Sequence, residues 1–513
     1  MMPEQPVANK PIVWTIASSD SGGGAGIQAD LLTFTALGCH GCSAIAGVSA
    51  QNSMTLKLIE AVNPALLLSQ LDCLLSDMPP AAIKIGLIPD ELLLQLLRQW
   101  LEQNKPNHSF RVIADPVLST SNGHNFASGP LINSWRNLLP LLDLISPNLP
   151  ELALLSGMPD EPVAAQVTQL VQHAMTAVLV KGGHSTDDDV VTDQLFEKDS
   201  YFELKHHRII TPHAHGTGCV LSAAIAAACA QNYPLHDAVI IATAYLQQAL
   251  EHGYPTGKGA GCLQHHSWPA EYRYFPTLYW PEHCEQLPPQ RQYAGFASMN
   301  TPIGLYPVVD SVQWLKRLLP LKPDVIQLRI KQGSENEIEQ QIAEAVQLSH
   351  NYNLRLFIND HWQLAIKYAA YGVHLGQEDL EQADLNAIAQ AGLRLGLSSH
   401  SYLELLRARQ LNPSYIALGH IFATQTKLMP SKPQGLKRLG HYAALCRDIP
   451  TVAIGGIDMQ RLEAVVSCGV DGVAVVSAIT KSANPECAFS ELSRQFNQFN
   501  QFSRESRYAY SAQ

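Results

Sequence analysis

The sequence predicts two α/β domains in tandem, an open α/β sandwich followed by a (β/α)8 barrel. Three observations lead there. At 513 residues the chain exceeds what one core usually supports, so two domains of roughly 200 to 270 residues are expected. Over residues 11–268, short β-rich runs alternate with longer amphipathic stretches, the pattern of a parallel sheet buried on both faces. Over residues 301–498, eight strand-like runs follow one another, most of them separated by helical stretches.

In the first half the runs are PIVWTIAS, AAIKIGLI, RVIADPV, DLISPN and TAVLVKGG. After VKGGH the pattern changes. DVVTDQLF and SYFELKHHRII lie close enough to pair as a hairpin, and the loop AHGTGC then opens onto the small-residue run VLSAAIAAACA. Residues 269–300, rich in proline, aromatics and polar groups without a sustained period, read as a connector whose aromatics argue against disorder. The eight runs of the second half are IGLYPVVD, DVIQLRIK, LRLFIND, GVHLG, LRLGLSSH, YIALGHIF, TVAIGGI and GVAVVSAI. Most end in polar or glycine residues, where a barrel builds its site. Residues 499–513 read as a tail with no assigned role.

Composition excludes several classes. A formal net charge of −11 with no Lys/Arg cluster argues against non-specific nucleic-acid binding, so phosphate recognition has to be local. No stretch reaches the ~18 apolar residues of a bilayer span. The start, MMPEQPVANK, lacks the basic end and apolar stretch of a signal peptide, and a cytoplasmic address is expected. The ten cysteines sit among apolar neighbours, as free thiols do in a reducing compartment. Cys39 and Cys42 have redox or zinc spacing, but no second ligand pair accompanies them, so they read as structural thiols.

The chemistry of the first half gathers at strand ends. In SSDSGGGAGIQADL (18–31) three consecutive glycines let backbone approach a ligand, while Asp20 and Asp30 offer acceptors. SAQNS (49–53), ADPV (114–117), PNLPEL (147–152), VKGGH (180–184) and HGTGC (215–219) also fall at or just beyond strand ends, the edge where open sheets bind ligands. The glycine loop of Gly216 and Gly218 leads into a helix whose bare N–H groups form an anion cradle. Together these motifs resemble the hydroxymethylpyrimidine/phosphomethylpyrimidine kinases of the ribokinase-like superfamily. The resemblance implies that Asp30 and Gln51 bind the aminopyrimidine and that Asn148 and Glu151 organise Mg2+ largely through water. It implies that Lys181 approaches the phosphates of ATP, and that Gly216, Thr217, Gly218 and the Cys219 N–H stabilise the transferring phosphoryl group. Cys219 stands where related sugar kinases carry an aspartate base; a helix N-terminus lowers a thiol pKa, which suits Cys219 as the base. Ser18 departs from the family's glycine.

In the second half, QLRIK places Gln327, Arg329 and Lys331 at alternating positions of one strand, a set that calls for an anionic partner. IND supplies Asn359 and Asp360, and HLGQED supplies Gln377 and Asp379; the two aspartates suit a magnesium ion that also holds a diphosphate. Ser398, Thr424, Thr426, Lys427, Gly456, Val476 and Ser477 add hydroxyls, a cation and backbone donors, the last of them after strands seven and eight, a frequent phosphate seat. The set resembles thiamine-phosphate synthase, a TIM barrel, with His420 and Ala423 where many members have proline. That resemblance implies a pyrimidine diphosphate bound by Gln327, Arg329, Lys331, Asn359, Ser398 and Lys427. It implies Mg2+ on Asp360 and Asp379, and a thiazole phosphate seated by Thr424, Thr426, Gly456, Val476 and Ser477.

The domains expected are therefore a kinase at 11–268, a linker at 269–300, a synthase at 301–498 and a tail at 499–513. The product of the first is the substrate of the second, a chemical reason for the fusion. ATP is the expected co-substrate, Mg2+ the expected metal, and small molecules the expected partners, with no nucleic acid or membrane. Resemblance to the separate enzymes suggests a homo-oligomer. Two alternatives stand beside this reading: a kinase fused to a barrel that only binds ligands and regulates it, and a kinase that prefers a related pyridine.

Overall fold

The structure is a computed structural model that describes residues 9–118, 126–172, 174–183, 189–281, 295–423 and 432–511. It divides into two compact units, Met1–Glu282 and His283–Gln513.

The first unit is built on a ten-stranded sheet of β1 (Ile12–Ser19), β2 (His40–Gln51), β3 (Leu56–Ala61), β4 (Ala82–Ile85), β5 (Arg111–Ala114), β6 (Leu144–Ile145), β7 (Ala177–Val180), β8 (Val190–Glu197), β9 (Ser200–His207) and β10 (Thr277–Tyr279). Their order is β10-β9-β8-β7-β6-β5-β4-β1-β2-β3. The stretch from β2 to β7 is parallel, and antiparallel strands flank it on both sides. The expected hairpin is β8 and β9, paired from Val190 with His207 to Glu197 with Ser200. β2 and β3 are additions to the sequence reading, because HGCSAIAGVSAQ is too rich in small residues to show a clear period. Within the stretch read as a connector, Thr277–Tyr279 pairs with β9 as the edge strand β10.

Alternation along the central strands decides what each face carries. Trp14, Ile16, Ile83 and Ile85 join an apolar core with Leu67, Leu93, Leu97 and Leu131 from helices on one side. The intervening Thr15 and Lys84 turn to the other face, toward the helix Gly26–Ala36. On that face the helix Thr217–Ala230 packs against β1, β4 and β5. Its residues Val220–Ala230 are all buried. A helix apolar all round has to be internal, and its alanines let the backbone come close to the sheet.

The second unit is a closed barrel of eight parallel strands: β11 (Gly304–Val309), β12 (Val325–Leu328), β13 (Arg355–Asn359), β14 (Gly372–Leu375), β15 (Arg394–Ser399), β16 (Tyr415–Gly419), β17 (Thr451–Ile454) and β18 (Gly472–Val475). All eight expected runs are strands. Tyr306, Phe357 and Tyr415 share the interior with Val308, Val325 and Val452. Gly396 is what admits Tyr415, since a Cβ there would lie 2.2 Å from its ring. Two details differ from the sequence reading. β12 ends at Leu328, so Arg329 and Lys331 belong to the loop beyond it and not to an alternating strand. The presumed tail continues a helix, Pro485–Ser511. Among the described residues no helix is long and apolar enough to cross a membrane.

Candidate active sites

In the first unit a cavity of about 450 Å3 opens at the carboxyl ends of the parallel strands. Two glycine loops form one wall. Gly216 has φ 86° and its missing Cβ would lie 2.0 Å from the Gly24 carbonyl oxygen, while a Cβ on Gly24 would strike the His215 ring at 2.4 Å. Two of the glycines read as approaching a ligand thus first allow the loops to approach each other. Asp20 ties the arrangement together. Its carboxylate accepts from the N–H groups of Gly22 at 2.8 Å, Gly24 at 3.2 Å and Ala25 at 2.9 Å, and lies 3.1 Å from His215 Nε2. Against the upward push of burial, His215 and these N–H groups hold the carboxyl below its ordinary range. Gln51 lines the cavity with its amide 3.4 Å from the same imidazole.

The opposite wall carries charge. Lys181, just beyond β7, donates to Asp115 at 2.7 Å and lies 3.8 Å from Glu151. Burial opposes its charge, but Asp115 and Glu151 outweigh it and hold the ammonium above its ordinary range. Asn148 and Glu151 form a capping box on the helix Leu149–Ser156: the Asn148 side chain accepts from the Glu151 N–H and Glu151 from the Asn148 N–H, both at 2.8 Å. This accounts for the N-x-x-E spacing by helix initiation. It leaves Asn148 and Glu151 poorly suited to direct coordination of a metal.

Asp30 and Cys219 depart from expectation. Asp30 does not line the cavity; it is fully buried, bound by Lys84 at 2.9 and 2.8 Å and by the Thr15 hydroxyl at 2.6 Å. Burial pushes Asp30 up while Lys84 pulls it back. Cys219 does line the cavity, in the first turn of its helix with Gly216, Thr217 and Gly218. Its thiol is not lowered: burial pushes it up to about 11, against the opposing pull of Lys84 and of the Gly26 N–H. The desolvation of the site exceeds what the helix terminus supplies. Ser18 fits without crowding, because its hydroxyl donates to the Leu87 carbonyl at 3.0 Å over Gly47, where a Cβ would come within 2.8 Å.

The second unit holds a cavity of about 830 Å3 at the carboxyl ends of its strands. Gln327, Arg329, Lys331 and Asn359 line one side of it, and Gly456, Val476 and Ser477 another. At its rim Asp360, at φ 63°, pairs with Lys331 and hydrogen-bonds Asp379. Burial opposes ionisation of Asp360, yet Lys331 holds it below the ordinary range. Burial and then the Asp360 charge push Asp379 up. Two carboxylates close enough to share a proton, with an ammonium drawn in beside them, are hard oxygen donors short of positive charge, and a magnesium ion fits them.

Beneath the mouth runs a polar chain. Ser398 Oγ is 2.9 Å from His374 Nε2, His374 Nδ1 is 2.8 Å from the Tyr415 hydroxyl, and that hydroxyl is 2.9 Å from Tyr306. His420 lines the cavity, with its Nδ1 unpartnered among the described residues; burial, then the charge of His400, lowers its pKa. Ala423 turns its carbonyl oxygen to within 2.6 Å of where a Gly456 Cβ would be. Thr424, Thr426 and Lys427 lie outside the described residues.

Sequence reasoning missed Lys84, His215, His374, Tyr306 and Tyr415, and passed over Asp115 within its own ADPV motif. A lysine between Ile83 and Ile85 in a fully buried strand was the one strong signal, since such a charge needs a partner.

Comparison with known proteins follows the same division. Residues 20–264 match the phosphomethylpyrimidine kinase family and residues 305–479 the thiamine monophosphate synthase family. The chain is 59% identical over 191 residues to a thiamine-phosphate synthase of Proteus mirabilis, covering 37% of this chain and 89% of that protein. Among solved structures, a phosphomethylpyrimidine kinase of Clostridium difficile is 30% identical, with 47% of this chain and 100% of that one covered at a TM-score of 0.42. A pyridoxal kinase of Staphylococcus aureus bound to pyridoxal is 26% identical, with 50% and 94% covered at a TM-score of 0.45.

Proposed function

Because the chain belongs to the thiamine monophosphate synthase family through residues 305–479 and carries a phosphomethylpyrimidine kinase domain at residues 20–264, we propose that it runs consecutive steps of thiamine biosynthesis. The kinase half phosphorylates 4-amino-5-hydroxymethyl-2-methylpyrimidine and then its monophosphate with ATP. The barrel joins the diphosphate to 4-methyl-5-(2-phosphooxyethyl)thiazole, giving thiamine phosphate and pyrophosphate. The observation that supports the reading is the rim of the barrel, where Lys331 pairs with Asp360, Asp360 hydrogen-bonds Asp379 and Arg329 lines the same cavity, a set of side chains suited to a diphosphate and its metal.

In the kinase cavity the N–H groups of residues 216–219 receive the charge of the phosphoryl group in flight, and Lys181 is available from the opposite wall. Cys219 takes the proton of the hydroxymethyl group only in its thiolate form, the minor form of a thiol pushed up to about 11, and buried Lys84 is the positive charge that offsets that thiolate. Gln51, braced by His215, hydrogen-bonds the aminopyrimidine, while Asp30 acts from behind by fixing Lys84. Asn148 and Glu151 would help to hold a magnesium ion, through water, since their mutual cap leaves them poorly suited to direct coordination.

In the barrel, Gln327, Asn359 and Ser398 hold the pyrimidine side of the diphosphate. Arg329 and Lys331, with Lys427, retain the departing pyrophosphate. Gly456, Val476 and Ser477, with Thr424 and Thr426, seat the thiazole phosphate. Asp360 and Asp379 would hold a magnesium ion, which when bound would supply Lewis-acid stabilisation of the leaving group.

The test is a one-pot assay with the pyrimidine, Mg-ATP and the thiazole phosphate, and a parallel tube lacking the thiazole. Thiamine phosphate in the first and pyrimidine diphosphate in the second are expected. Diphosphate accumulating in both would overturn the synthase assignment and favour a regulatory barrel.

A further inference from the structure

His374 lies on β14 inside the barrel, 6% exposed, with each ring nitrogen committed to a different hydroxyl. The direction of that chain can be worked out from its buried end. Tyr306 and Tyr415 are both buried, and burial holds both phenols above their ordinary range, so both keep their protons. Among the described residues, the Tyr306 hydroxyl then has one acceptor within reach, the Tyr415 oxygen at 2.9 Å. Having accepted there, Tyr415 donates its own proton to His374 Nδ1 at 2.8 Å. A neutral imidazole that accepts at Nδ1 carries its proton on Nε2, which donates to Ser398 Oγ at 2.9 Å. The reverse direction would leave the Tyr306 proton buried without an acceptor, a cost of about 1–3 kcal/mol.

We propose that His374 is a positioning residue, fixed in one tautomer by Tyr306 and Tyr415, that turns the Ser398 hydroxyl hydrogen outward as a donor to an acceptor atom of the aminopyrimidine diphosphate. Ser398 lines the cavity, and its oxygen is occupied from below, so its hydrogen is the part left for a ligand. The selectivity follows: Ser398 offers a donor and does not act as a base.

This inference rests on the synthase reading for its substrate, but its first test does not. In the full chain labelled with 15N-histidine, the His374 signal, assigned by its loss in His374→Gln, is expected to show a protonated Nε2 and a bare Nδ1. A proton on Nδ1 overturns the proposal whatever the enzyme makes. The second test is kinetic. Tyr415→Phe removes the donor to Nδ1 and should lower kcat/KM for the pyrimidine diphosphate roughly ten- to a hundredfold, with KM for the thiazole phosphate within about twofold. In the Ser398→Ala background the same change should cost nothing more; a full further loss would show that the tyrosine acts by another route. If Tyr415→Phe does not fold, His374→Ala, which removes the donor to Ser398 Oγ itself, is read in the same way. A wild-type chain that makes no thiamine phosphate would refute the synthase reading and leave the tautomer measurement to decide this one.

Discussion

Lys84 Nζ lies 2.9 and 2.8 Å from the two carboxylate oxygens of Asp30, and neither side chain is exposed to solvent. Removing one partner leaves an uncompensated charge under the kinase cavity. Asp30→Asn and Lys84→Met are each expected to cost about 3–5 kcal/mol, whereas Asp30→Leu with Lys84→Met should recover most of that. Chemical denaturation of the full chain, followed through the kinase unit's transition, measures it. Kinase turnover should fail in all three, since each one disturbs the charge beside Cys219.

The Cys219 thiol, pushed up to about 11, is protonated at neutral pH in the ligand-free chain. Alkylation at this position, read by peptide mass spectrometry, should accelerate close to tenfold per pH unit between about 7 and 9.5, and Lys84→Met should slow it. A rate flat with pH would show a thiolate already formed. The sign for stability is the same as for any raised pKa: the contribution is fully present below the ordinary thiol value of 9.0 and is lost as pH rises through about 11.

Gly216→Ala places a Cβ against the Gly24 carbonyl at a left-handed backbone angle. A cost of about 2 kcal/mol or more to the kinase unit is expected, together with loss of pyrimidine phosphorylation. Thiamine phosphate formation from supplied diphosphate should persist. Separate assays of the two reactions on the same preparation check both halves of the expectation.

Asp379 is raised and Asp360 lowered, so a proton competes with a metal at Asp379 first. The Mg2+ concentration needed for half-maximal coupling should rise as pH falls from neutral toward the raised carboxyl range. Chelation should abolish coupling, and Asp360→Asn should raise the Mg2+ requirement at least about tenfold. Coupling that is indifferent to chelation would remove the metal from the mechanism.

Ser18→Gly should change the pyrimidine KM by no more than about twofold, because the lost hydroxyl serves the Leu87 carbonyl. A larger change in initial-rate kinetics would place that hydroxyl on the substrate.

The barrel was legible almost strand for strand, because its runs are short, buried and separated by amphipathic helices. The first sheet was legible where its strands are apolar on both faces and illegible at β2, whose small residues carry no period. Among site residues, strand-end position was enough to place Gln51, Lys181, Asp360 and Ser398 on a cavity wall. It misplaced Asp30, since proximity to a glycine motif says nothing about which way a helical side chain turns; only the unusual Lys84 hinted at the partner. The thiol of Cys219 was misjudged because a helix terminus is visible in sequence and desolvation is not. His374, Tyr306 and Tyr415 belong to three different strands, β14, β11 and β16, and only closure of the barrel brings them into line.

The mutual capping of Asn148 and Glu151 has a consequence for descent. Selection on folding alone would retain this pair, because without it the helix that follows loses its first turn. A descendant that had abandoned phosphoryl transfer would therefore still display both residues. Cys219 has no such mutual cap to maintain, so it would drift first, and its presence is the better witness that the ancestral chemistry has been kept.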